Sequence, residues 1–258
     1  MPRYNGNLIF SCVDAEGAID IVDEATARTM HFGTRARQST MLLRDTGELA
    51  LTYTRCMMIS LVMLEGSPKA VLMLGLGGGS LARFLVRHYP ECRIDAVERR
   101  PVVVKVARRF FELPNQRNLQ VLETDAELFV AQHQTSSYDL ILVDLHTPQG
   151  MASANGAPAF IAGCRRLLSD GGVLAINLWS GPDEEMVARV DDQLVDAFEG
   201  QVLYLPVAGK SNVVAFGLTT PLGDHREARW RERAKTKESK LEVKFPAMLD
   251  DLFAGPLK

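Results

Sequence analysis

Ala70-Val71-Leu72-Met73-Leu74-Gly75-Leu76-Gly77-Gly78-Gly79-Ser80-Leu81 is the most informative run in the chain. The apolar residues up to Leu74 predict a buried strand, the glycines a tight turn, and Ser80-Leu81 the start of a helix. Glycine in such a turn lets backbone come close to a ligand. Twenty-one residues after Gly77, a second apolar run, Ile94-Asp95-Ala96-Val97, ends in Glu98. An acid about 20 residues past the turn can take the hydroxyls of a ribose. Together the two predict a nucleoside pocket.

Outward from that turn, strand-like runs cover 70–75, 93–98, 119–123, 138–144, 171–178, 201–207 and 212–219. The first five are each followed by helical spacing, which predicts a parallel sheet covered on both faces. Between the last two stand only Ala208-Gly209-Lys210-Ser211-Asn212, too few residues for a crossover helix, so these strands form an antiparallel hairpin. The predicted fold is therefore α/β: a Rossmann-like, mostly parallel seven-stranded sheet of the class I methyltransferase type. Residues 1–66 are expected to form a small β-rich lobe, with strands near 18–22 and 28–32 and a helix over 51–64 that Gly66-Ser67-Pro68 ends. Residues 67–220 form the main domain, and 221–258 a charged helical tail whose basic run is read as a solvated face with i,i+4 ion pairs.

Bulk properties narrow the function. At 258 residues, 47% hydrophobic and 24% charged, the chain has an ordinary globular composition. Its net charge of −3, with basic residues dispersed, gives no electrostatic case for nucleic acid. No window approaches the roughly 18 apolar residues of a membrane span, and Met1-Pro2-Arg3-Tyr4 lacks a signal-peptide pattern, so a cytoplasmic protein is expected. Cys12, Cys56, Cys92 and Cys164 lie far apart and read as free thiols. The five histidines show no ligand spacing, so no metal is expected.

The glycines at 75, 77 and 79 fit a G-x-G-x-G turn, whereas the dinucleotide fingerprint needs glycine where Ser80 stands. That favours the amino-acid end of an S-adenosylmethionine-like molecule over a nicotinamide or flavin, beside the plainer reading of a structural turn. Glu98 is assigned to the ribose. Its neighbours Arg99 and Arg100 suit either a 2′-phosphate of NADP or a capped sheet edge in water. Asp125 is an N-cap and a candidate for the adenine amino group. Asp144 ends the fourth strand of the main domain, at the carboxyl edge where open α/β sheets bind ligands, and is the candidate catalytic carboxylate. His146, two residues on, is a polar surface residue or a second titrating group.

Jointly these motifs resemble the spermidine synthase family of polyamine aminopropyltransferases, from roughly residue 15 to 220. The family's Gly-Gly-Gly-Asp-Gly-Gly corresponds to Gly75–Ser80, its Glu-Ile-Asp to Glu98-Arg99-Arg100, its Asp-Ala to Asp125-Ala126, and its Asp-Ser-Ser-Asp-Pro to Asp144-Leu145-His146-Thr147-Pro148. Tyr53 matches a family tyrosine before the core. The resemblance implies transfer of an aminopropyl group from decarboxylated S-adenosylmethionine to a small-molecule amine, without metal, in a homodimer. It assigns Gly75, Gly77, Gly78, Gly79, Glu98, Asp125 and Ala126 to the cofactor, and Tyr53, His146 and Thr147 to the acceptor. Two family acids are absent: Gly78 stands where an aspartate holds the donor's ammonium, and Thr147 where one helps bind the diamine. The adenosine half of the site is thus expected to be intact and the ammonium-binding half altered. Gly78 also leaves room for a methyltransferase using intact S-adenosylmethionine, and Thr147 for a homologue that binds nucleoside without turnover. An NADP oxidoreductase rests on Arg99 and Arg100 alone.

Overall fold

The computed structural model describes residues 3–147, 150–179, 184–223 and 225–254. The chain opens with strands β1 (Asn7–Asp14), β2 (Gly17–Asp23), β3 (Ala27–His31) and β4 (Ser39–Leu42), then helices α1 (Thr52–Met57) and α2 (Ser60–Met63). Alternation follows: β5 (Ala70–Leu74), α3 (Ser80–His88), β6 (Arg93–Glu98), α4 (Pro101–Phe110), β7 (Leu119–Glu123), α5 (Ala126–Gln132) and β8 (Tyr138–Val143). A two-stranded ribbon, β9 (His146–Thr147) with β10 (Gly150–Met151), precedes α6 (Pro158–Leu167), β11 (Leu168–Trp179), α7 (Glu184–Ala197), β12 (Val202–Pro206), β13 (Asn212–Leu218), α8 (Arg226–Leu241) and α9 (Phe245–Ala254).

The main sheet has seven strands in the order β12-β13-β11-β8-β5-β6-β7. Neighbours from β11 to β7 pair in parallel, and β13 is antiparallel to both β11 and β12. This is the layout expected from the strand spacing. β5 lies at its centre and is buried along its whole length. Its alternate residues serve two cores: Val71 and Met73 face α1–α3 and the C-terminal helices, while Leu72 and Leu74 face α5, α6 and α7. Local signals start the helices that follow, with Pro101 in the first turn of α4 and the Asp125 carboxylate capping α5.

The N-terminal lobe is a four-stranded antiparallel sheet, so the strand expectations at 18–22 and 28–32 captured only its middle. β1 escaped notice because it is largely half-exposed and carries Ser11, Cys12 and Asp14 among its apolar residues. Ile19, Ile21, Met30 and Met41 bury one face of this sheet against Val103, Val106 and Phe111 around α4. The single helix expected over 51–64 is two short ones. The N–H groups of Met58 and Ile59 bond three residues back, to Arg55 and Cys56, which tightens the chain between them.

The C-terminal helices do more than carry charge. Arg231 pairs with Glu227 and Asp250 on the outer face, while Trp230, Ala234, Leu241, Phe245, Leu249 and Leu252 are buried in the core that contains Val71 and Met73. No described helix is long and apolar enough to cross a membrane.

Candidate active site

Strand ends β5, β6 and β8 are laced together at their carboxyl edge. The Gly75 N–H donates to the Val97 carbonyl at 2.9 Å, and the Asp144 N–H to the Leu74 carbonyl at 2.9 Å. Gly75 has φ +96°, and a Cβ there would lie 2.4 Å from the Asp144 carbonyl oxygen, so only glycine lets the two loops touch. Above this junction lies a cleft of about 610 Å³, within the usual size of small-molecule sites. Among the residues lining it are Gly75, Gly77, Glu98, Asp125, Ala126, Tyr53, Asp144 and His146. These residues come from five separate segments of the sequence and are thereby brought into one space.

Glu98 is oriented by backbone. Its Oε2 accepts from the Leu76 and Gly77 N–H groups at 3.2 and 3.4 Å, and its Oε1 from the Arg100 N–H at 3.0 Å. Burial raises its pKa and outweighs the lowering effect of those amides and of the Arg100 charge. A carboxylate has about four acceptor positions, so these three amides leave one, on Oε1, for a further donor. Asp125 caps α5 through Oδ1 alone, accepting from Glu127 and Leu128 at 2.8 and 3.2 Å. Oδ2 stays outside the cap.

Asp144 is engaged by three side chains. Tyr53 donates its hydroxyl to Oδ2 at 2.9 Å, Asn177 donates Nδ2 to Oδ1 at 2.9 Å, and His146 Nδ1 lies 3.2 Å from Oδ1. Burial pushes the Asp144 pKa up, but His146, Asn177 and Tyr53 together hold it below the ordinary carboxylate value. Tyr53 responds in the opposite sense: burial and the Asp144 charge push its phenol well above its usual pKa. Asn177 is itself held by Asn212, whose Nδ2 donates to its Oδ1 at 3.0 Å. Asn177 and Asn212 both line the cleft and were not anticipated. The sequence offered only an amide near the end of an apolar run; that Asn177 is 2% exposed is seen in the structure.

Not every anticipated residue faces the cleft. Gly78 and Gly79 lie behind the turn. A Cβ on Gly78 would sit 2.6 Å from Ser39 Oγ and 3.0 Å from Phe111, and one on Gly79 would sit 2.6 Å from Leu113. The Gly78 carbonyl accepts from Arg83 Nη1 at 2.6 Å. An acid at position 78 would therefore meet Ser39 and Phe111 before it met a ligand. Thr147 stands on β9, its side chain outside the described structure, and Pro148 is outside the described residues altogether.

Arg99 and Arg100 are accounted for without a phosphate. Arg99 pairs with Glu16, and the buried Arg100 grips both oxygens of Asp14 at 2.8 and 3.0 Å while stacking over Phe32, which ties the main domain to the N-terminal lobe. Among the described residues, no group of three or more His, Cys, Asp and Glu side chains gathers where a metal ion could be held.

Known proteins share both sequence and fold with this chain. Residues 50–204 match the family model described as the spermine/spermidine synthase domain. A polyamine aminopropyltransferase of Chromobacterium violaceum is 33% identical over 241 residues, spanning 93% of this chain and 91% of its own. A spermidine synthase solved in complex with the transition state analogue AdoDATO superposes with a TM-score of 0.71 at 16% identity, covering 95% of this chain and 84% of that one. Human methyltransferase-like protein 13, solved in complex with SAH, superposes with a TM-score of 0.68 at 25% identity, covering 75% of this chain and 93% of that one. With a family model across its site-bearing segment and a relative matched nearly end to end, the chain belongs to the spermine/spermidine synthase family.

Proposed function

We propose that this cleft transfers an aminopropyl group from decarboxylated S-adenosylmethionine to an amine, releasing methylthioadenosine, and that its acceptor half differs from a standard diamine site. The observation that carries this is the gathering of Glu98, Asp125 and Asp144, three strand-end acids, around one 610 Å³ cleft beside the glycine turn. Glu98 takes the ribose, Asp125 Oδ2 the adenine amino group, and Gly75 and Gly77 leave room for the sulfonium.

The acceptor nitrogen attacks the methylene bonded to sulfur. As the new C–N bond forms, the C–S bond breaks and its electron pair goes to sulfur, leaving a neutral thioether. The sulfonium is already an activated leaving group, and the ammonium formed on the acceptor carries the positive charge that the sulfur loses, so the protein's task is to orient the neutral amine. Three of the four acceptor positions of Asp144 are filled by Tyr53, Asn177 and His146. The fourth, on Oδ2, is left for one N–H of the incoming amine. A carboxylate with a lowered pKa is a weak base but a strong fixed negative charge. Its main contribution is to align the amine and stabilise the cation that develops on nitrogen.

The structural likeness to a methyltransferase-like protein bound to SAH supports a second reading, methyl transfer from intact S-adenosylmethionine. Product identity separates the two. Supplied with each donor and a panel of amines, the protein is expected to release methylthioadenosine from the decarboxylated donor. S-adenosylhomocysteine formed from the intact donor would replace aminopropyl transfer with methylation. Methylthioadenosine binding with no turnover of either donor would make the chain a nucleoside-binding homologue.

A further inference from the structure

Among the described residues, the cleft wall formed by β11, β13 and the turn before β13 offers no acid to the second ammonium of a diamine. Lining residues contributed by β11, β13 and the turn before β13 are Asn177, Asn212 and Lys210. That wall is two amides and one ammonium, with no acid among the described residues. The acids elsewhere in the lining come from other segments: Glu16 pairs with Arg99, Glu98 braces the glycine turn, Asp125 caps α5, and Glu127 stands in the first turn of that helix. Asp144 alone stands at the acceptor end, and it binds the reacting nitrogen.

The lining cations divide in the same way. Arg37 pairs with Glu24, Arg99 with Glu16 and Arg100 with Asp14, whereas Lys210 and Arg35 have no acidic partner among the described residues. Lys210 is exposed on the hairpin turn, two residues from Asn212, and Asn212 connects through Asn177 to Asp144. A polar track thus runs from the attack position to a cation. Asn212 uses one Nδ2 hydrogen on Asn177, and its second is available to an acceptor oxygen.

On the reading of the cleft as an aminopropyltransferase site, we infer that the acceptor is an amine carrying a carboxylate at its far end, its nitrogen at Asp144 and its carboxylate at Lys210 and Asn212. A diamine in the same pose would set its second ammonium against Lys210, where like charges repel. A carboxylate would gain a charge-assisted hydrogen bond there.

The test uses the full chain with decarboxylated S-adenosylmethionine, a ladder of ω-amino acids and the α,ω-diamines of the same chain lengths, with methylthioadenosine release as readout. The expected result is that the best amino acid exceeds its matched diamine at least tenfold in kcat/KM, and that Lys210→Glu reverses the order while Lys210→Met narrows it. Release with diamines in preference to amino acids, or a ratio unmoved by Lys210→Glu, would overturn the inference and leave aminopropyl transfer standing. Release with neither class would overturn both.

Discussion

Asp144 shows how a single side chain is tuned by its neighbours. Its carboxylate is buried, which alone would favour the neutral form, yet three donors keep it ionised. Asp144→Asn keeps the shape and removes the charge, so kcat should fall by about 10²–10³, with methylthioadenosine affinity retained; steady-state kinetics beside calorimetry would check this. His146 is the largest of the lowering influences on Asp144. Because the folded pKa is depressed, ionised Asp144 contributes stability above its unfolded pKa, and that contribution disappears as pH falls through the folded value. His146→Ala should raise the folded pKa, so the acid limb of the kcat/KM profile moves to higher pH and less stability is lost on acidification. An acid limb that stays in place would show that His146 does not tune Asp144. The acids were legible in sequence because each ends a predicted strand. Asn177 was not, since an amide near the end of a strand carries no charge signal until its partners are seen.

At the scale of the element, the glycine turn needs its glycines for different reasons. Gly75 provides close approach to β8, and Gly77 and Gly79 take left-handed backbone at φ +53° and +74°. Gly78 has no such conformation and is constrained by space, between Ser39 of β4 and Phe111 past the end of α4. Gly78→Ala should cost about 1–3 kcal/mol by overpacking. Adding Ser39→Gly, which removes the Oγ 2.6 Å and the Cβ 3.0 Å from the new methyl, should recover much of that cost. Urea denaturation of the two single variants and the double variant would show it, and strictly additive losses would count against this packing. The turn was legible from local sequence alone. The direction in which position 78 points was not, because its neighbours come from distant parts of the chain.

For the whole molecule, alternating strands and helices determine a parallel sheet, and a linker too short for a helix determines the closing hairpin. That logic was available from sequence. Less visible was how much of the stability lies outside the alternation. The lobe docks through the buried Arg100–Asp14 pair and a cluster of apolar side chains on α4, and the C-terminal helices complete one core. Charge dominates the composition of α8 and conceals the apolar stripe of Trp230, Ala234 and Leu241. Trp230→Ala should therefore destabilise the entire domain by about 3–5 kcal/mol, seen as a lower urea midpoint, whereas a merely solvated tail would tolerate it. The lobe contributes Phe32 and Ser39 to the cleft wall and the tail completes the core on one face of the sheet, and the account depends on what that cleft holds. Calorimetric titration with methylthioadenosine tests this most directly: one molecule should bind per chain, and Glu98→Gln should weaken it roughly tenfold to a hundredfold, as expected for loss of a hydrogen bond to a charged group. No binding by the native chain, or equal affinity in Glu98→Gln, would contradict the assignment of this cleft to an adenosine thioether.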